Sequence, residues 1–255
     1  MAVEQVKTGI EDVPILFEDD YLLAVNKPAG LLIHANPSDS EKLNPPPNLE
    51  DFVKAEIAKS ATLLHRLDRE TSGLVLFAKR RESAAAMTQA FERRLIRKAY
   101  LAVVDGRWRN EWNRVESFLE RGLEGRMLSR SEGPGKKALT TFRLLKAHDE
   151  CSWIEAILKT GRTHQIRVHC ASLGCPIVGD RIYGKASAAL SEAGRQLESS
   201  VGQALHAYRV DFQHPITKAQ LRLHAPLASV WSTYLKRFEA EPLLQKLFPE
   251  GDRST

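Results

Sequence analysis

HRLDRETSGL, residues 65–74, is the stretch on which the reading of this chain turns. Its first half is charged: His65 and Arg66 form a basic pair, and Asp68 stands directly behind them. Its second half, Glu70-Thr71-Ser72-Gly73, has the residue types of a turn. At Leu74 an apolar run begins and continues to Phe77. A run without polar alternation reads as a strand buried on both faces. A carboxylate and an arginine two residues apart at the mouth of such a strand read as a site.

Working outward, Ile15–Phe17 and Tyr21–Lys27 read as short strands around the acidic turn Glu18-Asp19-Asp20. Asn26-Lys27-Pro28-Ala29-Gly30 ends the second, because Pro28 lacks the ladder donor and Gly30 permits a sharp turn. Leu31–His34 resume as a strand. Residues 36–48 form a polar, proline-rich loop. Leu49, Phe52, Val53 and Ile57 predict a helix over 49–59, and Ala84, Met87, Phe91 and Leu95 an amphipathic helix over 82–95. Lys98–Val104 is a strand carrying Tyr100. Residues 105–137 read as arginine-rich loops with short strands. Ala138–Leu145 and Ser152–Leu158 read as a strand pair joined at His148-Asp149-Glu150.

A helix is expected after Thr160-Gly161, with Ile166, Cys170 and Leu173 on one face, and His164, Arg167 and Ala171 on another. Gly174 stops it. Residues 184–203 read as a loop or a poorly packed helix. His206–Phe212 and Gln220–His224 are strands, and a last helix runs over about 227–240. This order lacks strict βα alternation and predicts an α+β fold with a mixed or antiparallel sheet. The expected organisation is a short lead over 1–13, one catalytic domain over 14–240 and a polar tail over 241–255.

Composition bounds the function. A chain of 255 residues, 43% hydrophobic and 27% charged, is an ordinary globular protein. The net charge of +5 is uneven, because residues 93–137 hold twelve Lys or Arg against six Asp or Glu. Such a basic surface suits a phosphate backbone, or is simply a solvated face. Three cysteines make no disulfide framework, the N-terminus has no signal core, and no apolar run approaches the ~20 residues of a membrane span. A soluble, cytoplasmic setting is expected. There is no glycine-rich phosphate loop or dinucleotide fingerprint. Cys170, Cys175, His164 and His169 do not have a usual zinc spacing, and Ser72 lacks the setting of a nucleophile elbow.

The remaining chemistry rests on three residue types. Asp68, paired in a cleft with Arg66 or Arg167, would stay ionised and act as nucleophile or base; unpaired, it would be a turn residue. Tyr100 offers a stacking face and a hydroxyl if it lines that cleft, and is otherwise core.

HRLDRETSGL, NKPAG at 26–30 and TGRTHQIRVH at 160–169 together resemble the RluA-type pseudouridine synthases, and KAYLAVVDG at 98–106 resembles that family's second short motif. The match runs from about Ile15 to Leu227. The resemblance implies an enzyme that isomerises uridine in structured RNA, ribosomal or transfer, with no metal or organic cofactor. It implies Asp68 as the catalytic residue, attacking C6 of the base or C1′ of the sugar. It implies Arg167 as the partner of that carboxylate, Tyr100 as the residue that stacks on the base and handles the C5 proton, and Arg66 as the arginine that enters the RNA helix as uridine leaves it. The implied fold is a bifurcated, mainly antiparallel sheet around a cleft. Many members carry an N-terminal S4-type domain; only about 14 residues precede the first strand here, so its absence is expected, and RNA selection falls to segments 93–137 and 36–48. A monomer is expected.

Two rivals stand beside this reading. A catalytically silent RNA-binding or ribosome-assembly protein on the same fold would have no need of Asp68, Tyr100 and Arg167 together. A glycoside hydrolase using Asp68 and Glu70 would need an aromatic sugar cleft, against 7% aromatics and a basic segment.

Overall fold

The computed structural model describes residues 13–35, 46–148, 150–184, 202–229, 231, 235 and 239–248. The strands are β1 (Ile15–Glu18), β2 (Leu22–Lys27), β3 (Thr62–Leu63), β4 (Ser72–Ala78), β5 (Arg97–Asp105), β6 (Trp112–Arg121), β7 (Met127–Arg130), β8 (Lys136–Ala147), β9 (Cys151–Leu158), β10 (Leu205–Gln213) and β11 (Gln220–His224). The helices are α1 (Leu49–Phe52), α2 (Arg81–Glu92), α3 (Gln165–Ser172) and α4 (Glu241–Leu247).

All the strands join one sheet in the order β1-β2-β4-β10-β5-β9-β8-β6-β7, with β3 on β4 and β11 on β10. Only β4 and β10 run parallel. Their pairing is short, His206 with Ser72 and Ala207 with Gly73, and beyond it β10 turns to β11 over Arg209–Gln213. The sheet therefore forks at β10, the bifurcated mixed α+β architecture expected of the pseudouridine synthase fold.

The apolar run of β4 is buried on both faces, as its sequence predicts. Val75 and Phe77 join one core with Leu23 and Val25; Leu74 and Leu76 join a second with Leu22, Met87, Val210 and Phe212. Each such side chain contributes roughly 1.5–3 kcal/mol by leaving water. That double burial makes β4 a rigid base for the turn that precedes it.

Several expectations need correction. Leu31–His34 are not a strand, and only Leu32 bridges to Asn48. The helix expected over 49–59 is α1 followed by a π turn at Val53–Ile57. α2 ends at Glu92 because Arg94 turns left-handed (φ 58°), which leaves Leu95 outside it and exposed. Residues 105–137 are strands for much of their length: on β6 alternate residues turn inward, with Ser117 and Leu119 buried, a period that polarity hides because the inward positions include Asn113 and Ser117 while the other face carries Trp112 and Phe118. The expected polar tail begins with α4, whose Leu247 is buried in the main core. Most of the 36–48 loop and of 184–203, and half of the 227–240 helix, lie outside the described residues; Trp231 and Leu235 are buried. No helix among the described residues is long and apolar enough to cross a membrane.

Candidate active site

Residues 64–71 make the turn between β3 and β4, and Asp68 sits at its head. The Thr71 N–H donates to the Asp68 carbonyl (3.1 Å). The next carbonyl, that of Arg69, accepts from the Gly30 N–H and from Lys27 Nζ, each at 2.9 Å. Lys27 also donates to the carbonyls of Pro28 (2.8 Å) and Leu31 (2.9 Å). This lysine is fully buried at the end of β2, and three acceptors around one nitrogen match the three N–H bonds of an ammonium. Burial pushes its pKa down to about 7, against the opposing charges of Glu70 and Asp68. NKPAG is thus tied to the turn that carries Asp68 by the Lys27 ammonium, by the Gly30 N–H and by Arg69 Nε, which donates to the Gly30 carbonyl (2.9 Å).

The opposite wall is α3. It is held mainly by a buried polar network. Gln165 Nε2 donates to the Leu139 carbonyl (3.0 Å) and Thr140 Oγ1 (2.9 Å). Thr140 Oγ1 in turn hydrogen-bonds His169 Nδ1 (2.9 Å), and His169 Nε2 hydrogen-bonds Ser117 Oγ (3.0 Å). Burial pushes the His169 pKa down to about 4, so the ring is neutral.

This anchoring aims Arg167 inward. Its Nη1 donates to Asp68 Oδ2 at 2.9 Å. Its Nε and Nη2 make a bidentate pair with Asp180 at 2.7 and 2.8 Å. Asp180 Oδ1 also accepts from the amides of Ile182 (2.9 Å) and Tyr183 (3.0 Å). Burial alone would raise the Asp180 pKa; the hydrogen bonds and charge of Arg167, with those two amides, more than reverse it. Burial likewise opposes the Arg167 charge, but Asp180 and then Asp68 hold the guanidinium above its ordinary pKa. Among the described residues nothing donates to Asp68 Oδ1.

Tyr100 forms the third wall. Its partners on the flanking strands are Ala156 and Ala207, small enough to leave room beside the ring. Burial, and then the Asp68 charge, push its phenol well above the usual range, so it stays protonated. Lys98, two residues earlier on the same face, also lines the cleft, and burial lowers its pKa. Asp68, Tyr100, Arg167 and Arg66 all border one open cleft of about 410 Å³, within the ~300–1,000 Å³ common for ligand sites.

Of the expected site residues, Asp68, Tyr100 and Arg167 come together, and Arg167 is the arginine that pairs with Asp68. Arg66 is exposed on the cleft wall and makes no ion pair with that carboxylate among the described residues. His65 is no member of a basic pair. Its Nε2 accepts the Leu76 N–H (3.1 Å), and enclosure, then the charge of Lys98, push its pKa down to about 3. The sequence reading missed Asp180 and Tyr183, and named Lys27 only as a strand end. Gly179-Asp180 was the available signal: Gly179 has φ +73° and lies against the Gly202 backbone.

A family model described as RNA pseudouridylate synthase matches residues 21–172. The "Uncharacterized RNA pseudouridine synthase YhcT" of Bacillus subtilis is 36% identical over 84% of this chain and 68% of its own length. The "Ribosomal large subunit pseudouridine synthase D" of Xylella fastidiosa is 35% identical over 85% of this chain and 67% of its own. Among solved structures, "Human RNA Pseudouridylate Synthase Domain Containing 4" superposes with a TM-score of 0.68 at 23% identity, covering 88% of this chain and 92% of that one.

Proposed function

This chain belongs to the RluA-type RNA pseudouridylate synthases and is therefore an isomerase acting on RNA; we propose that it converts uridines of large-subunit ribosomal RNA through Asp68. The observation that carries the residue assignment is the 2.9 Å pair between Arg167 and Asp68, which holds Oδ2 while, among the described residues, no hydrogen bond reaches Oδ1. The RNA class follows relatives named for the ribosomal large subunit.

The reaction breaks the N1–C1′ bond, turns the base and forms a C5–C1′ bond. The C5 hydrogen leaves as a proton and N1 gains one, so composition is unchanged. Asp68 Oδ1 is the nucleophile. Arg167 orients it and favours its charged form. Tyr100 stacks on the uracil. Because its phenol stays protonated, it works as a donor and relay for the C5 proton and not as a standing base. Taking the uridine out of its helix costs roughly a few kcal/mol. Arg66, exposed on the cleft wall, fills the space the base leaves, and the arginines of β6–β7 bind the phosphate backbone. Residues 14–240 constitute the catalytic domain, with α4 packed on it, and the protein acts as a monomer.

The test is tritium release from RNA labelled at uridine C5, with ribosomal and transfer RNA from cells lacking the protein assayed separately. Release from ribosomal RNA by the wild type and none by Asp68→Asn, with RNA binding kept, is expected. Turnover by Asp68→Asn removes the nucleophile assignment, and release from transfer RNA alone removes the substrate assignment.

A further inference from the structure

Two side chains beside Asp68 have no part in that reaction: His164 and Tyr183. His164 precedes α3 in the left-handed region, φ 55° and ψ 18°, and makes no capping hydrogen bond. That conformation is strained for a non-glycine residue and persists where surrounding contacts enforce it.

The contacts are specific. Tyr183 Oη lies 2.7 Å from the Met127 nitrogen and 2.8 Å from His164 Nδ1. A backbone N–H only donates, so Oη accepts there and its own proton is available to His164. Given to His164, that proton makes Nδ1 the bare nitrogen and puts the neutral ring's hydrogen on Nε2. Nε2 stands 3.7 Å from Asp68 Oδ2, the oxygen that Arg167 already holds. The Tyr183 ring lies between two guanidinium groups, Arg167 at 5.2 Å and Arg126 at 5.7 Å. Arg126 also donates to the Ile182 carbonyl (2.6 Å). Met127 opens β7, so one phenol joins the arginine-rich hairpin to His164 at the start of α3.

We propose that Tyr183 is a positioning residue whose hydroxyl, held by the Met127 N–H, fixes the His164 tautomer and presents the His164 Nε2–H to Asp68, so that seating of the β6–β7 hairpin on RNA is linked to alignment of the carboxylate. This rests on Asp68 being the nucleophile. The groups facing His164 are Asp68 and Arg66 from the turn, Arg167 from α3, and Asp180 and Tyr183 from the loop after it. Burial, with Arg167 and Arg66, keeps its pKa below the ordinary value against the two carboxylates, so the ring is neutral at pH 7.

Tyr183→Phe keeps the ring between its arginines and removes only the hydroxyl. The expected result is a kcat lower by about 10–100-fold with KM nearly unchanged, the scale of a lost orienting contact. Without the phenol proton on Nδ1 the ring is easier to protonate, so the acid limb of the variant's kcat moves to higher pH than that of the wild type. Side-chain ¹⁵N spectra should place the wild-type ring proton on Nε2. His164→Gln, which keeps an N–H near that position, should retain more activity than His164→Ala, and it carries the test if Tyr183→Phe does not fold. A Tyr183→Phe kcat within twofold of wild type with the same pH profile, or a wild-type ring proton on Nδ1, overturns the proposal. Asp68→Asn on the same RNA separates the two levels: if it is inactive while Tyr183→Phe is unaffected, only the linkage falls, whereas an active Asp68→Asn removes the reading beneath it.

Discussion

Gly73→Ala tests whether the fork of the sheet places the catalytic turn. Gly73 has φ +113°, and a Cβ there would stand 2.3 Å from the Ala207 carbonyl oxygen and 2.6 Å from the Ala207 nitrogen. Both are backbone atoms, so no rotamer change relieves the contact. Ordinary contact needs about 3.5 Å, so β4 and β10 must part by about 1 Å. These strands share only two register pairs, and the Ser72–His206 hydrogen bond (2.8 Å) crosses the same seam. Backbone strain of ~1–3 kcal/mol and overpacking of ~1–3 kcal/mol together predict a loss of about 2–6 kcal/mol. At ~2–4 °C per kcal/mol, Tm should fall by roughly 5–20 °C. Asp68 lies five residues before Gly73 and faces Tyr100, which sits on the far side of β10. A displacement of ~1 Å should lower kcat by about 10²-fold. The assays are thermal unfolding and single-turnover tritium release below the new Tm. Gly174→Ala is the control: its φ is +75° but nothing lies within 4 Å of its Cβ, so it should cost strain without activity. A Gly73→Ala protein with wild-type kcat would refute the link from fork to site, and one with wild-type Tm would refute the contact argument.

Two further outcomes follow from the buried charges. Lys27 has a folded pKa of about 7, against an unfolded value of ~10.4. Between these the unfolded chain holds the proton more often, so the destabilisation is full below pH 7 and is relieved as pH rises toward 10. Urea unfolding at pH 7, 8 and 9 should show that rise in the wild type and a flatter profile in Lys27→Met; parallel profiles would count against a depressed Lys27. Arg167→Met leaves the fully buried Asp180 carboxylate without its partner and should cost ~3–5 kcal/mol. Adding Asp180→Leu should restore most of the stability and none of the turnover, and recovered tritium release would show that Arg167 serves only the fold.

What the sequence disclosed about the site was local. Asp68, Tyr100 and Arg167 lie in stretches whose residue types and order resemble one family, and the apolar run from Leu74 carries its own evidence of double burial. The hairpin of β6 and β7 was hidden because its inward positions include Ser117 as well as Leu119, so polarity did not alternate with burial. Lys27 and Asp180 were hidden for another reason. A buried charge looks like a surface charge in sequence, since what compensates it comes from elsewhere: for Lys27 the carbonyl of Arg69, for Asp180 the guanidinium of Arg167 and the amides of Ile182 and Tyr183. His65 shows the converse error, a residue read as cationic that its enclosure keeps neutral.

The unequal sharing of Arg167 has a consequence for the reaction cycle. Asp180 takes two of the three guanidinium nitrogens and Asp68 takes one. If Asp68 forms the covalent bond proposed above by attack at C1′, its negative charge passes to the departing base, and the guanidinium is still neutralised from behind by Asp180. The cleft can pass through its adduct without a stranded cation in its wall and without drawing in a counterion or water to match one. On that reading Asp180 is a resident counterion, one that keeps the interior electrically balanced while Asp68 is occupied.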